Sequence, residues 1–162
     1  MRKFSLYVPL LAIATLALAL ESCVSVPSSP PRPQQVLLAP DEIRWVDGPP
    51  VLPGAKMAVI EGEPKTPGPF TMRIKAPANS KLPPHWHPAI EHVTVIAGTF
   101  HVGMGEQFEP AQAKALPVGS FMVMPPKVPH FVFFKEETVI QVHGIGPWEL
   151  HFVNPADDPR KK

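Results

Sequence analysis

His85 and His87 stand two residues apart, and Glu91 follows four further on, in the run His85-Trp86-His87-Pro88-Ala89-Ile90-Glu91. On an extended strand, residues two apart project to the same face, so the two imidazoles can hold one ion between them. Glu91 lies at another even offset and supplies an oxygen from that face if the strand bends without a change of register. Imidazole and carboxylate together suit first-row divalent metals such as Fe, Mn, Ni, Cu or Zn. Pro83, Pro84 and Pro88 stiffen the backbone around the pair, which reduces the entropy lost on binding. A His-x-His also occurs as two half-exposed histidines on an edge strand, and the pair alone does not decide between these readings. His130 opens the apolar run Phe131 to Phe134 after a proline-rich loop, with Val132 and Phe134 on its own face. It reads either as a satisfied core histidine or as part of a site roofed by apolar side chains.

The elements that would carry these residues are strands. The chain has 24 prolines, about three times the usual share. Interior prolines remove helix hydrogen bonds and clash with the preceding turn, which excludes a mostly helical fold. Phe70, Met72 and Ile74 alternate with Thr71, Arg73 and Lys75, the period of a strand with one buried face. Similar short runs occupy 56–61, 91–97, 99–104, 119–124, 130–134, 138–143 and 148–153. Turn signals separate them, among them Gly62 with Pro64, Pro67-Gly68-Pro69, Pro83-Pro84, Ala97-Gly98, Pro125-Pro126 and Gly144 to Pro147. Glu109 to Ala115, rich in alanine, is the one stretch of helical character and reads as a single turn or loop. About eight short strands at regular spacing predict an all-β sandwich or barrel. Its expected interior is Phe70, Met72, Phe100, Val102, Phe121, Met122, Val132 and Phe134.

With 162 residues, 44% of them apolar, there is material for one domain with a single core. The formal net charge of +1 argues against nucleic acid or another polyanion as partner. Arg2 and Lys3 followed by the apolar stretch Leu6 to Leu20 read as an export signal over 1–22. The stretch is short of the roughly 20 residues that span a bilayer, although it would serve as an uncleaved anchor. Leu20-Glu21-Ser22-Cys23 resembles a bacterial lipoprotein box, from which Glu21 departs. Cys23 is the only cysteine, so it has no intrachain disulfide partner, and lipid attachment accounts for its position. Cleavage after Ala17-Leu18-Ala19 is the alternative. Residues 23–40, with Pro27, Pro30, Pro31 and Pro33 among serines and glutamines, read as an extended tether. The folded domain is expected over 41–158, with a charged tail at 159–162. These readings place the protein outside the cytoplasm, in the periplasm or anchored at the cell envelope through lipidated Cys23.

The two histidine segments resemble the motifs of the cupin superfamily. The first, Gly-x5-His-x-His-x3,4-Glu-x6-Gly, is matched by His85, His87, Glu91 and Gly98, with Asn79 at the leading glycine. The second, Gly-x5-Pro-x-Gly-x2-His-x3-Asn, is matched by Gly119, Pro125 and His130. Lys127 replaces its second glycine, in a turn where glycine is preferred, and Phe134 replaces its asparagine, which would make that wall of the cavity drier. The resemblance covers roughly Lys56 to Asn154. Within it, Pro84 to Pro88, Gly144 to Trp148 and Asn154 to Pro159 resemble a group of bacterial single-domain cupins.

That resemblance implies a single cupin-type jelly-roll barrel with a metal on His85, His87, Glu91 and His130. Fe or Mn is favoured, with Ni, Cu or Zn also compatible. Cupins with this donor set include dioxygenases whose substrates chelate the ion, a reading in which Glu91 doubles as a catalytic base. A non-catalytic module capturing a small molecule in the envelope, and a non-redox isomerase or lyase, are the alternatives. Some cupins are partners of regulatory factors, but an exported chain would not meet a cytoplasmic one. A small-molecule ligand is therefore the expected partner, and a homodimer the expected assembly. Gln141 and His143 share a strand face and are expected to line the cavity beside Phe134. His92 and His101 are expected to face outward, His151 to be structural, and Trp86 to pack on the face opposite the ligands.

Overall fold

A computed structural model describes residues 35–161 of the chain. The expected export segment, Cys23 and most of the tether lie outside the described residues. Val36, Leu37 and Leu38 are exposed, and Pro40–Glu42 forms a short 3-10 turn before the first strand.

The described residues contain eleven strands: β1 Val46–Asp47, β2 Lys56–Glu61, β3 Gly68–Ala76, β4 Ser80–Trp86, β5 Glu91–Ala97, β6 Phe100–Met104, β7 Lys114–Leu116, β8 Phe121–Met124, β9 His130–Phe134, β10 Thr138–Gly146 and β11 His151–Phe152. They pair antiparallel in two sheets, a six-stranded one in the order β1-β2-β3-β10-β5-β8 and a five-stranded one in the order β11-β4-β9-β6-β7. This is one of the two all-β architectures that the spacing of short strands predicted, and the jelly-roll barrel that the cupin resemblance implied. Alternation along each strand sends Phe70 and Met72 of β3, Val93 and Val95 of β5, and Ile140 and Val142 of β10 into one apolar core. Phe100 of β6 and Val132 and Phe134 of β9 meet them from the other sheet.

Two strands lie where the sequence had suggested none, and a third, β4, extends from the strand read at His85 back through the Pro83-Pro84 pair read as a turn. β1 and β7 are too short to show a period. β4 is the instructive case, because Pro83 and Pro84 lie inside it rather than in a turn. Its register against β9 runs Ser80↔Phe134, Lys81↔Phe133 and Leu82↔Val132, then resumes at His85↔His130. Three steps along β4 therefore oppose two along β9, the signature of a bulge. Proline has no N–H to give a ladder, and a bulge is one of the few places inside a sheet that accepts it. The 3-10 turn Pro110–Gln112 occupies the alanine-rich stretch, and the last expected strand shrinks to β11.

Phe121 is not part of the core. It is 56% exposed, while Met124 is buried and Met122 partly so. Adjacent residues of a strand cannot share a face, and edge strand β8 turns its even-numbered residues inward. Phe131, fully buried, belongs instead to a second apolar cluster on the outer side of the five-stranded sheet, against Phe108. Gly103 on β6 makes room for it: a Cβ there would overlap the Phe131 ring.

Candidate metal centre

His85, His87 and His130 come together with one ring nitrogen of each within 4.8 Å of the others, and all are buried. His85 lies near the end of β4, His87 just beyond it, and His130 opens β9 directly opposite His85. The bulge at Pro83-Pro84 reverses the inward phase of β4, so that Leu82 and His85, an odd number of residues apart, both line the interior. Glu91 does not continue the same strand, as its even offset had suggested. The chain crosses to the other sheet between His87 and Glu91, and Glu91 opens β5. The carboxylate meets the histidines across the barrel, with Oε1 3.6 Å from His87 Nε2 and Oε2 3.6 Å from His130 Nε2.

A backbone carbonyl aims each of the three imidazoles. His85 Nδ1 lies 2.8 Å from Pro83 O, His87 Nδ1 2.7 Å from Glu149 O, and His130 Nδ1 3.0 Å from Val128 O. A carbonyl only accepts, so each Nδ1 carries the proton and each Nε2 is left as a lone-pair donor. Burial, followed by the neighbouring His130 and His87 rings, holds the His85 pKa well below the ordinary imidazole value. Burial also lowers His87, against the opposing effects of Glu91 and the Glu149 carbonyl. Neutral imidazoles with protonated Nδ1 are the form that ligates metals. His87 Nε2 is buried with no hydrogen-bond partner, a costly state for a polar atom that a cation would relieve. Donors each about 2.0–2.2 Å from a common ion stand roughly 3–4 Å apart, the spacing of the Glu91 carboxylate from His87 and from His130 here. The residues fit a divalent transition metal.

The surrounding loops fix this arrangement. Lys127 N–H donates to His87 O at 2.8 Å, tying the turn before β9 to the end of β4. Lys127 and Asn79 both adopt left-handed backbone, with φ of 62° and 60°. These are the positions at which the cupin motifs carry glycine, and asparagine is the residue that tolerates the conformation best after it. Trp148 stacks on His87 with ring centroids 4.3 Å apart, and Glu149 supplies the carbonyl just described. Sequence reasoning missed both, since nothing in the spacing connects His87 to a carbonyl 62 residues away.

Among the other residues singled out, Phe134 lines the barrel cavity as expected. Gln141 and His143 do not. Ile140 and Val142 are the inward residues of β10, so Gln141 and His143 project from its outer face. There Gln141 Oε1 accepts from Arg73 Nε at 3.1 Å, and His143 stacks on its cross-strand partner His92 at 4.8 Å. His101 lies on the outer side of its strand but is buried, stacked on Phe133. Trp86 stacks on His151 of β11, away from the ligands. Arg160, in the segment read as a charged tail, is clamped by Asp158 and donates to Leu150 O.

The sequence matches the ChrR Cupin-like domain over residues 33–149. The chain belongs to this cupin family. Solved structures agree on the barrel. The polyketide cyclase RemF from Streptomyces resistomycificus superposes with a TM-score of 0.63 at 14% identity, over 79% of this chain and 92% of that one. An acetylacetone dioxygenase from Acinetobacter johnsonii gives a TM-score of 0.60 at 17% identity, over 80% and 84%. An RmlC-like cupin from Shewanella frigidimarina gives 0.55 at 16%, over 71% and 95%. No curated protein matches the sequence. At these identities the likeness is one of fold, shared by cupins with different chemistry.

Proposed function

We propose that this cupin domain holds one Fe or Mn ion on His85, His87, Glu91 and His130 and acts as a dioxygenase-type oxidoreductase on a compound that chelates through two oxygens. The observation that carries the reading is the set of three converging imidazoles, each locked by a carbonyl at Nδ1, with the buried Glu91 carboxylate 3.6 Å from Nε2 of His87 and of His130. When bound, such an ion supplies a Lewis acid with coordination positions left for substrate and oxygen. The chain's own side chains do the rest. The imidazoles stay oriented, and Glu91 is the one carboxylate of the buried cluster available to take a proton. Val132 and Phe134 help keep bulk water from the interior. An acetylacetone dioxygenase among the structural neighbours is compatible with this chemistry.

A non-catalytic binding module is the second reading, favoured by one observation. Among the described residues, no buried acid or base other than the four cluster residues lines the cavity. The same observation weighs against an isomerase or lyase, which would need a partner for Glu91. We also propose that the domain works outside the cytoplasm, tethered through Cys23. Mass spectrometry of the mature N-terminus tests this, and an unmodified Cys23 thiol would sink it. For the activity, metal analysis of the purified protein should be followed by oxygen-uptake assays with enols, β-diketones and catechols. Metal-dependent oxygen consumption is the expected result. Zinc at full occupancy, with no oxygen consumed after iron or manganese replaces it, would leave the binding reading instead.

A further inference from the structure

The cavity of about 780 Å³ next to the cluster is divided by chemistry in a way that identifies its ligand. Its polar side chains fall into two groups. His85, His87, Glu91 and His130 are the buried cluster. The others are exposed or half-exposed at the rim: Asp47, Glu63, Lys65, Glu149, His151 and Arg160. Between cluster and far wall the lining is apolar, formed by Met72, Leu82, Phe100, Val132, Phe134 and Ile140. Phe134 lies four residues along β9 from His130, a distance of roughly 13 Å at the rise of a strand. Protein interiors hold few voids larger than a water molecule, and an apolar void is not stabilised by filling it with water. Trp148, whose buried Nε1 has no partner, also lines the cavity, but it stacks on His87 at the cluster end. The wall formed by Met72, Leu82, Phe100, Val132, Phe134 and Ile140 offers no side-chain N–H or O–H, which suits an apolar occupant, and the volume is that of a small-molecule site.

We infer that the ligand is amphipathic, with a two-oxygen chelating head group at the histidine–glutamate cluster and an aliphatic or aromatic tail of several carbons lying along Val132 toward Phe100 and Phe134. This deepens the proposed function and rests on its metal reading. A short polar chelator would leave the far wall uncovered. A ligand with a charged tail would strand that charge among Leu82, Phe100 and Phe134. Phe134 is the position where the cupin motif carries asparagine, so in this chain a polar group is replaced by an apolar one at the end of the tail's path.

The test uses the full chain loaded with Co(II) and titrated with alkyl hydroxamic acids from acetyl to octanoyl, followed by visible absorption and calorimetry. Affinity should rise about three- to fourfold per added methylene, in line with about 0.8 kcal/mol for each buried CH₂. The Co(II) spectrum should change in the same way for every member. Phe134→Asn should flatten the dependence on chain length, lowering octanoyl affinity more than acetyl affinity, and Val132→Thr, nearly isosteric, should do so more weakly if the first variant fails to fold. His85→Ala should abolish binding of the whole series. Equal affinities along the series, with the spectral change intact, would overturn the tail site and leave the metal reading standing. Octanoyl hydroxamate binding His85→Ala as tightly as wild type would overturn the placement of the head group. Failure of Co(II) to bind would overturn both readings.

Discussion

At the scale of single residues, the partner of Nδ1 separates the three clustered histidines from other buried or half-buried ones. His85, His87 and His130 each give that proton to a backbone carbonyl, whereas Nδ1 of His92, His101 and His143 has no partner. His85→Ala or His130→Ala should therefore lower metal content at least tenfold, and His101→Ala should leave it unchanged, as read by elemental analysis of purified protein. An equal loss in His101→Ala would show that burial of a histidine, not its aim, is what matters. The same burial makes the metal-free domain sensitive to acid. The folded state keeps His85 and His87 neutral below their ordinary value of about 6.5, so the unfolded chain binds more protons as pH falls. Stability should be full above about pH 6.5 and fall progressively below it. Thermal melts of the apo protein between pH 8 and pH 5 measure this, and a melting temperature that held steady or rose on acidification would contradict it. That these histidines could share one face was legible in the sequence. The carbonyls that orient them were not, because Glu149 reaches His87 only through the closure of the barrel.

At the scale of elements, proline does two jobs in one strand. Pro83 and Pro84 looked like a turn because they break the alternation, yet they break it inside β4. The bulge they occupy brings both Leu82 and His85 to the inner face. A period-2 reading could not have found this, and the same reading erred at Glu91, where an even offset along one strand proved to be a crossing between sheets. It erred again on β10 by assigning Gln141 and His143 to the inner face, although the apolar Ile140 and Val142 mark the buried phase and the polar pair is the half-buried outer one. The glycine positions of the cupin motifs were more informative. Lys127 stands where glycine is usual and adopts the left-handed conformation regardless. Lys127→Gly should relieve that strain and stabilise the domain by about 1 kcal/mol, with metal content unchanged. Denaturant unfolding checks it, and a loss of stability would mean that the lysine side chain contributes more than its backbone costs.

At the scale of the whole molecule, the two sheets differ in what covers their outer sides. The five-stranded sheet buries Phe131 between Gly103 and Phe108, a cluster separate from the barrel interior. Phe131→Ala should cost about 3–5 kcal/mol of stability, yet the fraction that remains folded should bind metal as wild type does. A fall in metal affinity without a fall in stability would show that this cluster is coupled to the site. The outer side of the six-stranded sheet exposes Phe121, Val123 and Ile145. The all-β class and the single barrel were legible from proline content and regular strand spacing. The division of apolar residues between an inner core and an outer cluster was not, because Phe131 to Phe134 read as one uniformly apolar run.

The central claim, one divalent ion held by His85, His87, Glu91 and His130, is tested most directly by metal stoichiometry. The full chain should be stripped with chelator, reloaded with Fe(II) or Mn(II) without oxygen, desalted and analysed beside His130→Ala. The prediction is one ion per chain in the wild type and less than about a tenth of that in the variant. Equal metal content in the two proteins, or none in either, would contradict it.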